Sequence, residues 1–100
     1  MQRSADAPFW RVFNGVLSDI RTGVYPPGGR VPSESALAEM YEVSRSTVTR
    51  AMERLRWIGL VSGPAGGIGR VAPEPRRSRA LELVSEADRL RAEADGDSGR

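Results

Sequence analysis

Apolar residues between Pro8 and Thr22 fall at Phe9, Phe13, Val16, Leu17 and Ile20, a spacing of i, i+4, i+7, i+8 and i+11. That spacing keeps them on one face of an α-helix, so the pattern predicts a helix over 8–22. Pro8 suits the first turn of such a helix. Gly23, followed by Tyr25-Pro26-Pro27-Gly28-Gly29, ends it and predicts a rigid loop.

Pro32-Ser33-Glu34 is a start signal for a second helix of about two turns. Ser33 can cap the free amides, Glu34 favours the positive end, and Leu37, Met40 and Tyr41 are expected on the apolar face. Only Glu42-Val43 separates this helix from Ser44, a second N-cap candidate that opens a longer helix from about Arg45 to Ile58. In it Val48, Ala51, Met52, Leu55 and Ile58 fall within about 120° of arc and form the expected buried stripe. Ser46, Arg50, Glu53 and Trp57 lie on the opposite face, Thr49 flanks that face, and Arg45 occupies the first turn. A short helix, a tight turn and a longer helix is the helix-turn-helix plan.

After Gly59, residues 60–62 and 69–72 read as two short strands joined by Gly63-Pro64-Ala65-Gly66-Gly67-Ile68, a hairpin with a flexible tip. Two strands directly after such a helix make a wing. Pro73 and Pro75 interrupt the pattern, and a helical spacing of Ala80, Leu83, Ala87, Leu90 and Ala94 resumes over about 77–94. The final Asp95-Gly96-Asp97-Ser98-Gly99-Arg100 is expected to be disordered. The predicted fold is mainly α with a small β-hairpin. Residues 1–75 form a winged helix-turn-helix, and 76–100 a C-terminal helix and acidic tail.

At 100 residues with 39% hydrophobic content, one modest core is the limit, and a separate catalytic domain does not fit. The chain has neither Cys nor His, which removes thiolate and imidazole chemistry, and no enzyme or cofactor reading is favoured. No apolar run approaches the ~18 residues of a membrane span, and the N-terminal residues lack the apolar stretch of a signal peptide, so a cytoplasmic protein is expected. Net charge is +2, yet residues 1–79 hold 12 Arg against 7 acidic residues while 80–100 hold 3 Arg against 6. A basic body with an acidic tail suits a domain that binds a polyanion, followed by a segment that does not touch it.

From Ile20 to Val61 the chain carries Ile20, Gly23, Pro27-Gly28, Pro32-Ser33-Glu34, Leu37-Ala38, Val43-Ser44-Arg45, Thr47-Val48, Ala51, Leu55 and Gly59-Leu60 in order. This arrangement resembles that of GntR-type bacterial transcription regulators over about residues 9–72. The resemblance implies a winged helix-turn-helix that binds inverted-repeat operator DNA as a homodimer, with the 45–58 helix in the major groove and the 60–72 wing on the adjacent backbone or minor groove. Such regulators usually carry a larger effector domain. Here residues 73–100 alone follow the wing, so a metabolite pocket is not expected.

The candidate DNA contacts follow from that frame. Arg45 and Arg50 present paired donors that match guanine edges or phosphates. Ser44, Ser46 and Thr47 can offer hydroxyls to phosphate at a positive helix end, Ser44 first as a cap. Ser33 and Ser35 begin the second helix, and Ser35 stands where the family often has an Arg that commonly contacts DNA. Thr49 stands at another position where the family favours Arg, with Arg50 one place later, so base preference should differ from the common family operator. Gly66, Gly67, Gly69 and Arg70 resemble the family's Gly-rich wing, with backbone approaching the minor groove and Arg70 on phosphate. The aromatic residue usual there is missing. Glu42 replaces the usual turn Gly and would carry roughly 1 kcal/mol of strain at positive φ.

Trp57 on the polar face can pack under the wing, pack against the C-terminal helix, or stack on DNA. The C-terminal helix can pair with a second copy or lie on its own domain. Duplex DNA binding for transcriptional regulation, as a repressor, is the expected function. A winged-helix module that docks proteins without operator binding is the alternative.

Overall fold

The computed structural model describes residues 7–64 and 67–98, with side chains described through Glu93. Four helices, α1 (Pro8–Thr22), α2 (Glu34–Tyr41), α3 (Arg45–Trp57) and α4 (Arg76–Ser98), accompany two short strands, β1 (Val61–Ser62) and β2 (Arg70–Val71).

The buried face of α1 holds Phe13, Val16, Leu17 and Ile20 as the spacing predicts, adds Val12, which the spacing left out, and leaves Phe9 half-buried. Val12, Val16 and Ile20 are fully buried, and they meet Leu37 of α2 and Val48, Met52 and Leu55 of α3. Gly23 closes α1 at φ 90°, donating its N–H to Ile20 O, a left-handed geometry that favours glycine. Leu60, Val61 and Val71 extend the same core under the wing.

Two arginines bind the helices end to side. Arg11 of α1 donates to the carbonyl of Tyr41, the last residue of α2, at 2.6 Å. Arg77 of α4 donates to Ile20 O, in the last turn of α1, at 2.8 Å. Each places a cation on a carbonyl in the last turn of a helix, where the dipole favours positive charge, and Ile20 O accepts from Arg77 as well as from Gly23 N–H. Arg77 thus seats the start of α4 on the body, and Ala80, Leu81 and Val84 follow it into the core.

β1 and β2 pair antiparallel with Val61 opposite Val71 and Ser62 opposite Arg70, a shorter ladder than the spans 60–62 and 69–72 predict. The segment expected as a rigid loop adds a third edge. Gly28 N–H donates to Val71 O, Val71 N–H to Gly29 O and Val31 N–H to Gly69 O, and Arg30 bridges Arg70. Gly69 sits inside this sheet, because a Cβ there would meet Val61 Cγ1 at 2.9 Å and Val31 Cγ2 at 3.2 Å. Its missing side chain serves packing, which corrects the expectation that it opens the wing to DNA.

Other expectations are also revised. Met40 faces solvent, 57% exposed, because the end of α2 packs through Tyr41, which lies against Gly15 of α1. On α4 the buried face runs through Ala80, Leu81 and Val84, whereas Leu83 and Leu90 point outward, 65% and 54% exposed. The helix also continues to Ser98 through residues expected as disordered, since each residue added to a formed helix gains one more backbone bond. Gly66 and the end of the acidic tail, Gly99-Arg100, lie outside the described residues. No described helix is long and apolar enough to cross a membrane.

Candidate nucleic-acid interface

The positive ends of α2 and α3 converge. Glu34, the first residue of α2, places Oε1 3.9 Å from Nε of Arg45, the first residue of α3. Both ends are capped by serine: Ser33 Oγ accepts from Ala36 N–H at 3.1 Å, and Ser44 Oγ accepts from Thr47 N–H at 3.2 Å. Each cap satisfies one orphan amide and still has a hydroxyl proton to donate. Ser44 Oγ also lies 2.9 Å from Thr47 Oγ1 and 3.2 Å from Ser46 Oγ, so three hydroxyls cluster on the first turn of α3. Ser35 is exposed on the first turn of α2.

The turn between these helices holds Glu42 at φ 56°, the left-handed conformation anticipated for it. Its N–H donates back to α2, and Val43 N–H reaches Ala38 O at 3.0 Å, so the tight turn forms around a non-glycine residue.

Thr49 and Arg50 leave α3 in different directions. Thr49 faces α2, with Oγ1 2.7 Å from Glu34 Oε1 and 3.1 Å from Arg45 O. Its hydroxyl is therefore engaged inside the helix pair. Arg50 is exposed and faces the start of α1, with Cζ 5.7 Å from the Phe9 ring centroid. One step along a helix turns the side chain by about 100°, which accounts for the divergence.

Glu34 is the residue that sequence reasoning undervalued. It is 4% exposed, the buried charged group among the described residues, and among them its Oε2 finds no hydrogen-bond partner. The helix-start pattern identified it only as favourable to a dipole. Its burial depends on how α2 docks on α3, which no local pattern reports.

On the wing, Arg70 is exposed and donates through Nη1 to Gly28 O at 3.1 Å. Arg30 stands directly opposite in the sheet. Two like charges on opposed positions are unfavourable in isolation and suit a shared anion. Arg30 was missed because its partner lies far along the chain. Gly67 closes the near side of the tip, its N–H on Pro64 O at 3.0 Å, and a Cβ there would meet Pro64 Cγ at 2.9 Å.

Trp57, at the end of α3, is 81% exposed with Arg54 Cζ 5.9 Å from its ring centroid. It borders an apolar cleft of about 390 Å3 shared with Trp10, Phe13 and Ile58 and with Leu83, Val84 and Ala87 of α4. It packs neither under the wing nor closely on α4. The described residues bring together no cluster of His, Cys, Asp or Glu fit to hold a metal ion.

Comparison with known proteins agrees with this arrangement. Residues 11–67 match the family described as bacterial regulatory proteins, gntR family. The histidine utilization repressor of Klebsiella aerogenes is 35% identical over 91% of this chain and 41% of its own length. An HTH-type transcriptional regulator of Mycobacterium bovis is 41% identical over 73% of this chain and 30% of its own. The chain thus spans well under half the length of these relatives. Among solved structures, AraR(DBD) in complex with operator ORE1 is similar with TM-score 0.62 and 30% identity over 66% of this chain and 80% of that one. A GntR family transcriptional regulator from Listeria monocytogenes shares the fold with TM-score 0.75 at 17% identity, over 97% of this chain and 86% of that one. With the match covering more than half of its residues, this chain belongs to the GntR family of bacterial regulatory proteins.

Proposed function

We propose that this chain binds double-stranded DNA with sequence preference and regulates transcription as a repressor, working in the cytoplasm as a homodimer on an inverted-repeat operator. The observation that carries the reading is the convergence of two capped helix N-termini beside exposed arginines. Ser33, Ser35, Ser44, Ser46 and Thr47 offer hydroxyls where two helix dipoles are positive. Amides and hydroxyls of this kind fix phosphate position without reading sequence. Arg45 and Arg50, on the exposed side of α3, supply the donors that base edges require.

Arg30 and Arg70 would hold the adjacent backbone from the wing, with Gly67 at the tip nearest the minor groove. The relatives named histidine utilization repressors and the operator-bound neighbour support repression through DNA. The exposed Leu83 and Leu90 of α4 support association of two copies through that helix. The hydroxyls of Ser33, Ser44, Ser46 and Thr47 meet backbone amides and one another, not a base that would take their protons, which supports a binding role.

The test is titration of labelled duplex DNA across a range of salt. Affinity should fall steeply as salt rises, by a factor set by the number of phosphates neutralised. A flat response would refute the reading.

A further inference from the structure

The arginines around this surface are held in two different ways. Arg11, Arg70 and Arg77 place N–H groups on backbone carbonyls, and Arg45 turns Nε toward Glu34. Arg50 instead lies over the face of the Phe9 ring, with Cζ 5.7 Å from the ring centroid. Among the described residues no ion pair engages it. A cation held by attraction to a ring face spends no N–H on a carbonyl or carboxylate, and a guanine edge requires those same donors.

The ring that holds it is itself fixed. Phe9 meets Trp10 edge to face at 4.9 Å and lies parallel to Phe13 at 6.1 Å, and Phe13 belongs to the core. Phe9, Arg50, Glu53, Arg54 and Trp57 border one open depression of about 420 Å3. Glu53 and Arg54 are the other charged groups there, and Arg54 leans on Trp57 at 5.9 Å. The neighbouring Thr49 has its hydroxyl on Glu34, which leaves Arg50 as the arginine in the middle of the exposed face of α3.

We infer that Phe9 is a positioning residue for base discrimination: its ring orients Arg50, so the first turn of α1 takes part in choosing the DNA sequence. This rests on the DNA-binding reading above. Phe9 touches no base in this scheme and acts only through Arg50.

The experiment uses the full chain, a duplex recovered by the wild-type protein from a randomised pool, and a scrambled duplex of the same length. The readout is the ratio of the two affinities. Arg50→Ala should reduce that ratio between about fivefold and 150-fold. Phe9→Leu and Phe9→Met, which keep an apolar side chain without a ring face, should each reduce it about two- to fivefold. Phe9→Tyr should restore it, and Phe9→Leu should change nothing further in an Arg50→Ala background. Thermal melts of each variant separate loss of fold from loss of discrimination. An unchanged ratio in both folded Phe9 variants, or an equal drop with and without Arg50, would overturn the inference while leaving DNA binding intact. An unchanged ratio in Arg50→Ala would instead overturn the assignment of Arg50 as a reader, and with it this role for Phe9.

Discussion

Thr49 Oγ1 lies 2.7 Å from Oε1 of Glu34, so a hydroxyl on α3 meets a carboxylate buried at the start of α2. The helix-turn-helix is therefore fixed by a polar contact as well as by Leu37 and Val48 in the core. The other oxygen of Glu34 finds no partner among the described residues, which makes the remaining hydrogen bond harder to lose.

Thr49→Val should destabilise the fold by about 1–3 kcal/mol, since it keeps the side-chain shape and removes the donor from a buried carboxylate. Glu34→Gln should cost less, because the amide still accepts from Thr49 and no charge is left buried. Urea unfolding midpoints of the two variants measure the order. The reverse ranking would mean that the hydroxyl does not hold the carboxylate.

Glu42 occupies the left-handed region at φ 56° in the turn between α2 and α3. Glu42→Gly should stabilise the fold by about 0.5–1 kcal/mol, because relief of the Cβ clash outweighs the added freedom of glycine in the unfolded chain. The expected observation is a rise of a few degrees in melting temperature with little effect on DNA affinity.

Gly15 gives a case where helix propensity predicts the wrong sign. Gly→Ala inside a helix ordinarily stabilises by about 1 kcal/mol. Here a Cβ would approach Tyr41 Cζ at 2.8 Å and Cε1 at 2.9 Å, so the ring would have to leave its seat on α1. Gly15→Ala should lower stability in the natural sequence and raise it in a Tyr41→Leu background. Additive effects in the two backgrounds would contradict the contact.

These sites show what the sequence could and could not convey. The starts of α1, α2 and α3 were legible because Pro8 presets the first-turn backbone of α1 while Ser33 and Ser44 accept from amides three residues on, and the apolar stripe of α3 was legible from its period. Glu34 was not, because its burial is a product of two helices docking. Arg30 and Arg77 were hidden for the same reason. One pairs with a wing residue across a loop that reads as irregular, and the other caps a helix 57 positions earlier. Local chemistry writes itself into neighbouring letters, whereas these contacts join distant segments.

Both tyrosines of the chain should titrate late. Burial, then the nearby Asp19 carboxylate, raises Tyr25 above the ordinary 10.0, and the same two causes raise Tyr41 against a smaller opposing effect of Arg11. A folded-state value above the unfolded one means that the neutral phenol supports the fold below pH 10 and that this support is lost as pH rises through the folded value. Tyrosinate absorbance should therefore appear above pH 10, and unfolding should shift it down. A midpoint at or below the ordinary value in the folded protein would contradict the packing of both rings.

Arg30 and Arg70 offer a test of gripping as opposed to reading. They stand opposite one another on the wing, both exposed, and neither faces a carboxylate among the described ion pairs. A phosphate between them would relieve their mutual repulsion and carry no base information. Arg30→Ala and Arg70→Ala should thus weaken binding to selected and scrambled duplexes by the same factor, and each should reduce the slope of log affinity against log salt by about one. Arg70 also donates to Gly28 O, so its loss could loosen the wing. Arg70→Lys separates the two effects, since a lysine keeps the charge and should keep the slope. If Arg70→Ala leaves the slope unchanged and erases the difference between the duplexes, the wing reads sequence and α3 does not do so alone.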